Sequence, residues 1–304
     1  MNQSNLKKLQ NLLKEKDTDI FVINRSDEYL NEYISPNAER LNFITNFSGS
    51  AGRAIITPTD AFLYVDGRYT FQANTQINAK EIQAKHLNSF WTDLEKILLE
   101  EEYKIALDPT LHSIIEIEKV EKMLENSTSQ LQLIDKNFVD LIWENQPKTQ
   151  YTDIFDHPTS FAGQARSEKL DILKKFLDQN EIDHYFVSGL DNIAWLLNLR
   201  ADDIKYTPLL YSYLLISKNN KHSLYIKESA MPEILKKEIQ TLININNIEN
   251  IGSIFNNINS SESIGLDFNS TTYYFLDLLR KQKINTKNLA NPCILLKAIK
   301  NETE

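Results

Sequence analysis

The chain repeats one order of helix- and strand-forming segments, and this repetition limits the folds open to it. In each half, an amphipathic helix leads to a short apolar β-prone run, a connector, a β-hairpin, and a late strand followed by a helix. Phe43-Ile-Thr-Asn-Phe47 has the same position in the first half as Trp195-Leu-Leu-Asn-Leu199 in the second, and Ile105-Ala-Leu-Asp108 corresponds to Ile264-Gly-Leu-Asp267. We interpret the pattern as an internal duplication of one α/β domain, with convergent α/β patterning as the alternative.

The repeat predicts an α/β protein of two tandem, structurally similar domains, each a mixed β-sheet with flanking helices. A length of 304 residues fits two domains of ~100–200 residues. The first domain is predicted at residues 1–146 and the second at residues 166–292. Residues 147–165 lose the apolar periodicity and contain two prolines and a glycine, which indicates a linker.

The pattern also places individual elements. In the first half it predicts helices at residues 6–13, 69–77, 91–101, 114–125 and 138–143, and strands at 19–23, 53–57, 61–65, 104–107 and 132–134. In the second half it predicts helices at residues 169–177, 191–199, 232–242 and 272–282, strands at 184–187, 211–217, 222–226 and 263–267, and a turn at 218–221.

Composition excludes several classes of protein. A net charge of −9 disfavours nonspecific binding to nucleic acid, because a polyphosphate is repelled on average, although it leaves a local basic patch open. Cys293 is the single cysteine, which rules out an intrachain disulfide and Cys-rich zinc modules. The polar start lacks the apolar core of a signal peptide, and no run approaches ~18 apolar residues. We therefore expect a cytoplasmic protein that binds neither nucleic acid nor a membrane.

Several stretches of the first half carry a specific resemblance. They are Ser26-Asp-Glu-Tyr-Leu-Asn-Glu-Tyr33, Arg40-Leu-Asn-Phe-Ile-Thr-Asn-Phe-Ser-Gly-Ser-Ala-Gly-Arg-Ala-Ile-Ile-Thr57, Val65-Asp-Gly-Arg-Tyr69 and Asn137-Phe-Val-Asp-Leu-Ile-Trp143. Together they resemble the first domain of Xaa-Pro aminopeptidases (peptidase family M24B) of the large, three-domain cytosolic type.

The second half continues the resemblance. Gly189-Leu-Asp-Asn-Ile-Ala-Trp-Leu-Leu-Asn-Leu-Arg200 and Thr207-Pro-Leu-Leu-Tyr-Ser-Tyr213 are similar to the second domain of that family. Pro292-Cys-Ile-Leu-Leu-Lys-Ala-Ile-Lys-Asn-Glu-Thr-Glu304 resembles the junction into the third, so residues 293–304 are expected to begin that junction. The resemblance covers the chain in order and implies the creatinase N-terminal, ribonuclease H-like fold for each domain.

The resemblance also implies that the catalytic residues belong to a different domain from the two described above. In this family two Asp, one His and two Glu of a third, pita-bread domain hold two divalent metal ions, for which manganese is our expectation. None of those ligands can be assigned here, so we expect no catalytic residue, no metal ligand and no bound cofactor in this chain. The five histidines show no metal-binding spacing and are expected to be ordinary; they are His86, His112, His157, His184 and His222.

The function implied by the resemblance is that of the non-catalytic N-terminal region of an Xaa-Pro aminopeptidase. The two domains would shape the substrate cleft and restrict peptide size. The expected partners are a peptide with proline second and the protein's own C-terminal catalytic domain, and a homodimer is one assembly that the sequence allows. A non-enzymatic peptidase-like module that binds basic proteins is the alternative. A prolidase-type enzyme is disfavoured by the long first domain and the Asp-Gly-Arg-Tyr motif.

Arg68 is the first candidate for substrate binding. Asp66-Gly-Arg-Tyr69 ends a predicted strand, and Gly67 permits a tight turn that projects Arg68 from the sheet edge. A guanidinium there can bind a carboxylate or a peptide carbonyl through its planar fork. The resemblance implies that this arginine reaches the peptide in the cleft of the third domain, with Asp66 and Tyr69 facing the same cleft. From the residues alone, an exposed Asp66–Arg68 ion pair without further role is the alternative.

Two loops are weaker candidates. Ser48-Gly-Ser-Ala-Gly-Arg53 lacks the spacing and the lysine of a phosphate-binding loop, so we interpret it as a glycine turn near the edge that carries Arg68. Asp202 and Asp203 could form a paired-carboxylate site or belong to a solvated loop. The resemblance places their loop, with Arg200, towards the catalytic domain. Trp195 is expected in the core. Ser48, Ser50 and Cys293 have no neighbouring base in the sequence, so we expect none of them to act as a nucleophile.

Overall fold

The computed structural model describes residues 4–219 and 221–304. Its contacts divide the chain into two compact units, Met1–Thr149 and Gln150–Glu304. Each unit encloses its own cluster of buried apolar side chains. None of the helices in these two ranges is long and apolar enough to cross a membrane.

The first unit is a six-stranded mixed sheet with helices packed on it. Its helices are α1 (Asn5–Glu15), α2 (Arg40–Thr45), α3 (Thr70–Gln76), α4 (Phe90–Glu100), α5 (Ile114–Leu124) and α6 (Phe138–Ile142). Its strands are β1 (Ile20–Asn24), β2 (Gly52–Ile56), β3 (Ala61–Val65), β4 (Gln83–His86), β5 (Lys104–Leu107) and β6 (Gln130–Leu133). The strand order is β4-β3-β2-β1-β5-β6, with β2 antiparallel to both neighbours and every other pair parallel.

Local sequence explains the elements that surround the sheet centre. The side chain of Ser4 accepts a hydrogen bond from the backbone N–H of Lys7 and caps α1, whose buried leucines recur at helical spacing. All five residues of β1 are buried, which is the pattern of a central strand covered on both faces. The β2–β3 hairpin closes through a backbone hydrogen bond of 2.9 Å from Thr57 to Asp60, in the turn that the sequence predicts.

The second unit has the same kind of sheet. Its helices are α7 (Thr159–Ala162), α8 (Arg166–Gln179), α9 (Leu190–Leu197), α10 (Glu233–Ile239), α11 (Tyr273–Lys281) and α12 (Pro292–Ala298). Its strands are β7 (Phe155–Asp156), β8 (His184–Val187), β9 (Leu199–Arg200), β10 (Tyr213–Ser217), β11 (His222–Ile226), β12 (Ile243–Asn247), β13 (Ser263–Leu266) and β14 (Asn285–Asn288). The main sheet has the order β12-β11-β10-β8-β13-β14, with β10 antiparallel to both neighbours and the other pairs parallel.

The two main sheets have identical topology, which confirms the prediction of two tandem, similar α/β domains. The likeness extends to single hydrogen bonds. Asp108, after β5, accepts a bond of 2.9 Å from the side chain of Asn137, and Asp267, after β13, accepts one of 3.0 Å from the backbone of Asn291. Each asparagine side chain in turn caps the helix that follows it. These paired details support duplication over convergent patterning.

The stretch predicted as a linker, residues 147–165, is folded from Gln150 onward. It contains β7 and α7, and β7 pairs with β9 in a small antiparallel sheet. Ile154 is buried in the core of the second unit. These elements are too short to show apolar periodicity, which explains why the pattern resembles a linker. The predicted turn at residues 218–221 includes Asn220, which lies outside the described residues.

Candidate functional site

Arg68 lies in a 3-10 turn, Gly67–Tyr69, directly after β3. One carboxylate oxygen of Asp66 accepts hydrogen bonds from the Arg68 backbone N–H at 3.0 Å and from its Nε at 2.8 Å. The Arg68 side chain is 73% exposed. Its two terminal nitrogens donate no hydrogen bond to the rest of the described chain. Asp66 therefore orients the guanidinium from one side and leaves its outer edge open to a ligand.

Tyr69 connects this turn to the 48–53 loop. Its hydroxyl lies 2.8 Å from Ser50 Oγ, and Ser50 Oγ donates to a carboxylate oxygen of Glu32 at 3.2 Å. The Tyr69 ring centroid lies 5.8 Å from Arg68 Cζ. The loop thus reaches the edge that carries Arg68, as the sequence predicts.

The largely buried side chain of Arg25 supports this edge. Arg25 Nη1 donates to the backbone oxygens of Glu32 at 2.6 Å and Ser50 at 3.4 Å, and its Nη2 pairs with Glu39 at 3.0 Å. The Arg25 side chain is only 8% exposed. The residues that hold Tyr69 are therefore fixed by a charge that water cannot easily displace.

The glycines act here through the space they leave rather than through unusual backbone angles. Gly163 is the one glycine of the described residues with a positive φ, so Gly67 adopts an ordinary conformation. A Cβ on Gly67 would lie 3.2 Å from His86 Nε2, and one on Gly49 would lie 2.3 Å from the Phe47 ring. The expected tight turn is present. A Cβ on Gly49 would force the Phe47 ring to move, whereas a Cβ on Gly67 would need only a small shift of the His86 side chain.

The Asp66–Arg68 pair stays ionised across the neutral range. The hydrogen bond from the Arg68 side chain holds the pKa of Asp66 below its usual value, and the same bond raises the pKa of Arg68. A permanently charged, oriented guanidinium with an open edge suits a carboxylate or a backbone carbonyl.

Arg200 and Asp203 serve as internal braces of the second unit. Arg200 Nη1 donates to the backbone oxygens of Ala194 at 2.5 Å and Leu199 at 2.9 Å, and burial lowers its pKa. Asp203 accepts three hydrogen bonds, two from Thr152 and one from the Tyr211 backbone, while burial raises its pKa. Asp202 is exposed. The two aspartates thus have different surroundings, and the structure does not bring them together with Arg68 in one unit.

The remaining candidates form no catalytic cluster. Cys293 is buried, and burial raises the pKa of its thiol to about 12, which makes it unreactive. Across residues 4–219 and 221–304, no group of three or more His, Cys, Asp or Glu side chains is arranged to hold a metal ion. Trp195 is half-buried at the edge of the core.

Sequence reasoning missed Lys169, which is 1% exposed beneath Trp195. Its place on an amphipathic helix gives no signal, because lysine at such a position is normally solvated.

Comparison with known proteins agrees with the two-unit architecture. Two models described as creatinase/prolidase N-terminal domain match this chain, one over residues 5–136 and the other over residues 145–304. The chain belongs to the creatinase/prolidase N-terminal domain family. It consists of two consecutive domains of that family.

Relatives of this creatinase/prolidase N-terminal pair are longer proteins. A probable Xaa-Pro aminopeptidase P of Paracoccidioides brasiliensis is 33% identical over 244 residues, covering 79% of this chain and 39% of the relative. One of Ajellomyces dermatitidis is 30% identical over 318 residues, covering 98% of this chain and 51% of the relative. The chain thus spans about half or less of the curated relatives that it matches.

A solved structure shows the same fold. The X-prolyl aminopeptidase of Caenorhabditis elegans, described as a cytosolic enzyme with a di-nuclear active site, superposes with a TM-score of 0.89. The match covers 98% of this chain and 51% of the worm enzyme at 23% identity. The fold of this chain is therefore one that is found in a solved X-prolyl aminopeptidase.

Proposed function

We propose that this chain is the non-catalytic N-terminal region of an Xaa-Pro aminopeptidase, which removes the residue before a proline at position two. The names of the relatives and the coverage of about half their length support this. The described residues do not fit a dinuclear metal centre. We therefore place the two metal ions, which we expect to be manganese, in a catalytic domain beyond this region and derive no chemical step from the residues present. A cytoplasmic location fits the description of the worm enzyme.

In this proposal the two units wall the substrate cleft, and Arg68 binds the distal part of the peptide. The observation that carries it is the exposed guanidinium, oriented by Asp66 through Nε and open at both terminal nitrogens. Such a fork binds a peptide carboxylate or carbonyl without further rearrangement, which lowers the entropy lost on binding.

In this proposal, surfaces other than the Arg68 turn contact the catalytic domain. Ile294 and Leu295 of α12 are 55% and 67% exposed, which suits burial against a following domain. Asp202 is the exposed member of the 199–204 loop and the one able to reach a partner, whereas Arg200 and Asp203 shape the loop from inside.

The coding region downstream of codon 304 and a peptidase assay test this proposal. We expect a downstream domain with two Asp, one His and two Glu as metal ligands. The complete gene product should cleave a peptide with proline second, and the 304-residue chain alone should not. A downstream sequence without those ligands, together with no cleavage, would contradict the proposal and favour a non-enzymatic binding module.

A further inference from the structure

Lys169 is a buried cation with an unusual set of partners. Its Nζ donates to the backbone oxygen of Trp195 at 2.9 Å and to the side-chain oxygen of Asn198 at 2.8 Å, and it lies 4.3 Å from the Trp195 ring centroid. No carboxylate among the described residues lies within ion-pair distance of it. Burial lowers its pKa to about 8. An apolar side chain at this buried position would usually stabilise the core at least as well as a lysine does. We therefore expect the Lys169 amine to have a specific structural role.

The partners of Lys169 connect two surface points. The side chain of Asn198 donates to the backbone oxygen of Gln164 at 2.9 Å, next to Gly163. The amine thereby fixes the 162–164 turn through Asn198, and it fixes Trp195 directly. Both points are set by one buried group.

The first point receives Asn301. The side chain of Asn301 donates to the backbone oxygen of Ala162 at 2.9 Å. Gly163 has a φ of +69°, and a Cβ there would lie 2.2 Å from Asn301 Oδ1. Only glycine therefore fits both the backbone angle and the space that Asn301 fills.

The second point receives Glu304. Trp195 Nε1 donates to a carboxylate oxygen of Glu304 at 3.1 Å. Asn301 Oδ1 accepts from the backbone N–H groups of Thr303 at 2.9 Å and Glu304 at 3.0 Å, which folds residues 301–304 into a compact turn. Although partial burial opposes ionisation, the hydrogen bonds from Asn301 and Trp195 and the charge of Lys169 lower the pKa of Glu304.

We propose that Lys169 is a positioning residue, which organises a two-point docking site at Gly163 and Trp195 for the exit segment, residues 301–304. By docking there, the exit segment sets the direction in which the polypeptide leaves the second unit, and hence where a following catalytic domain begins. This second statement rests on the proposed function, whereas the docking itself does not.

The docking is tested in the chain itself through the indole N–H resonance of Trp195 in a nitrogen-15 NMR spectrum. We expect Lys169→Met and Asn301→Ala each to move that resonance towards the position of a solvated indole, and to speed its exchange with water by about tenfold or more. Lys175→Met, an exposed lysine on the same helix, is the matched control, and the Trp91 and Trp143 resonances report on general unfolding. An unchanged Trp195 resonance in Asn301→Ala would overturn the docking.

The positioning role is tested in the complete gene product by a distance that does not depend on activity. One spin label on Lys237→Cys and another in the following domain report their separation, and the native Cys293 is buried and stays unlabelled. Gly163→Ala is expected to broaden the distribution of distances between the two labels, compared with the same labelled protein that keeps Gly163. A distribution as narrow as before would overturn the positioning role. Loss of Xaa-Pro cleavage in the unmodified protein would count against the proposed function alone, because the distance is measured either way.

Discussion

Asp66 accepts two hydrogen bonds from Arg68, one from the backbone and one from Nε, and so fixes both the turn and the direction of the guanidinium. The pair is exposed, so it adds little to stability and is free to serve recognition. The proposed substrate contact depends on this arrangement.

Removing the charge of Asp66 should weaken peptide binding without affecting the fold. Asp66→Asn keeps an acceptor for the turn but loses the charge that orients Nε, so the guanidinium samples more positions. We expect the KM of the complete gene product for a peptide longer than two residues to rise by about threefold, with kcat unchanged. Steady-state kinetics measure this, and thermal unfolding should be unaltered. A KM within error of the unmodified protein would show that Asp66 does not orient the contact.

Replacing the buried Arg40 should destabilise the first unit. Its side chain is 7% exposed and pairs with Asp140 at 2.8 Å and Glu28 at 3.0 Å. Arg40→Met should lower the free energy of unfolding by about 2 kcal/mol, less than for a fully buried pair because both carboxylates remain partly hydrated. Urea unfolding measures this. Lys104→Met, which removes an exposed pair with Asp17, is the control and should change little.

The equivalent aspartates of the two units should have equivalent effects. Asp108 and Asp267 are both buried, and each accepts a hydrogen bond from an asparagine: Asn137, which caps α6, and Asn291, which caps α12. Asp108→Ala and Asp267→Ala should each lower the stability of their own unit by about 1–3 kcal/mol, because a buried donor loses its acceptor. Hydrogen exchange resolved by residue separates the two units. A large effect in one unit and none in the other would weaken the case for a duplicated design.

Acid should destabilise the second unit through its buried histidines. Burial lowers the pKa of His222 to about 4, and it also lowers the pKa of His184. These histidines bind protons more readily in the unfolded chain than in the folded one. Their contribution to the free energy of unfolding is therefore fully present above about pH 6.5 and is lost as the pH drops towards 4, by about 3 kcal/mol for His222. Urea unfolding at pH 7 and pH 4.5 measures the loss. His222→Gln should flatten this dependence, whereas the exposed His86→Gln should leave it as steep as before.

The sequence predicted the central elements of both units because those strands are buried runs between amphipathic helices. It missed strands β4 and β14, whose sequences are polar. Both lie at sheet edges, where one side of the strand faces solvent, so apolar patterning does not mark them. It also missed β12, a third edge strand, and the two short elements inside residues 150–165.

The candidate site was only partly readable. The Asp-Gly-Arg-Tyr motif predicted the turn of Arg68, because the hydrogen bonds that form this turn join residues within the motif itself. The ion pair of Arg25 with Glu39 joins residues 14 positions apart in the chain, and the docking of Glu304 on Trp195 joins residues 109 positions apart. No local pattern connects residues so far apart. Burial of Lys169 is likewise a property of the assembled unit.

The most direct test of this account compares Arg68→Ala with Arg280→Ala in the complete gene product. Arg280 is a matched control, because it is also exposed. Its Cζ lies 5.4 Å from the ring centroid of Tyr273, and the Cζ of Arg68 lies 5.8 Å from that of Tyr69. We expect Arg68→Ala to raise the KM for a peptide of four or more residues with proline second by about tenfold or more. The KM for a dipeptide should stay unchanged. Arg280→Ala should match the unmodified enzyme on both substrates. Equal KM values for the longer peptide in all three proteins would contradict the assignment of Arg68 to the substrate.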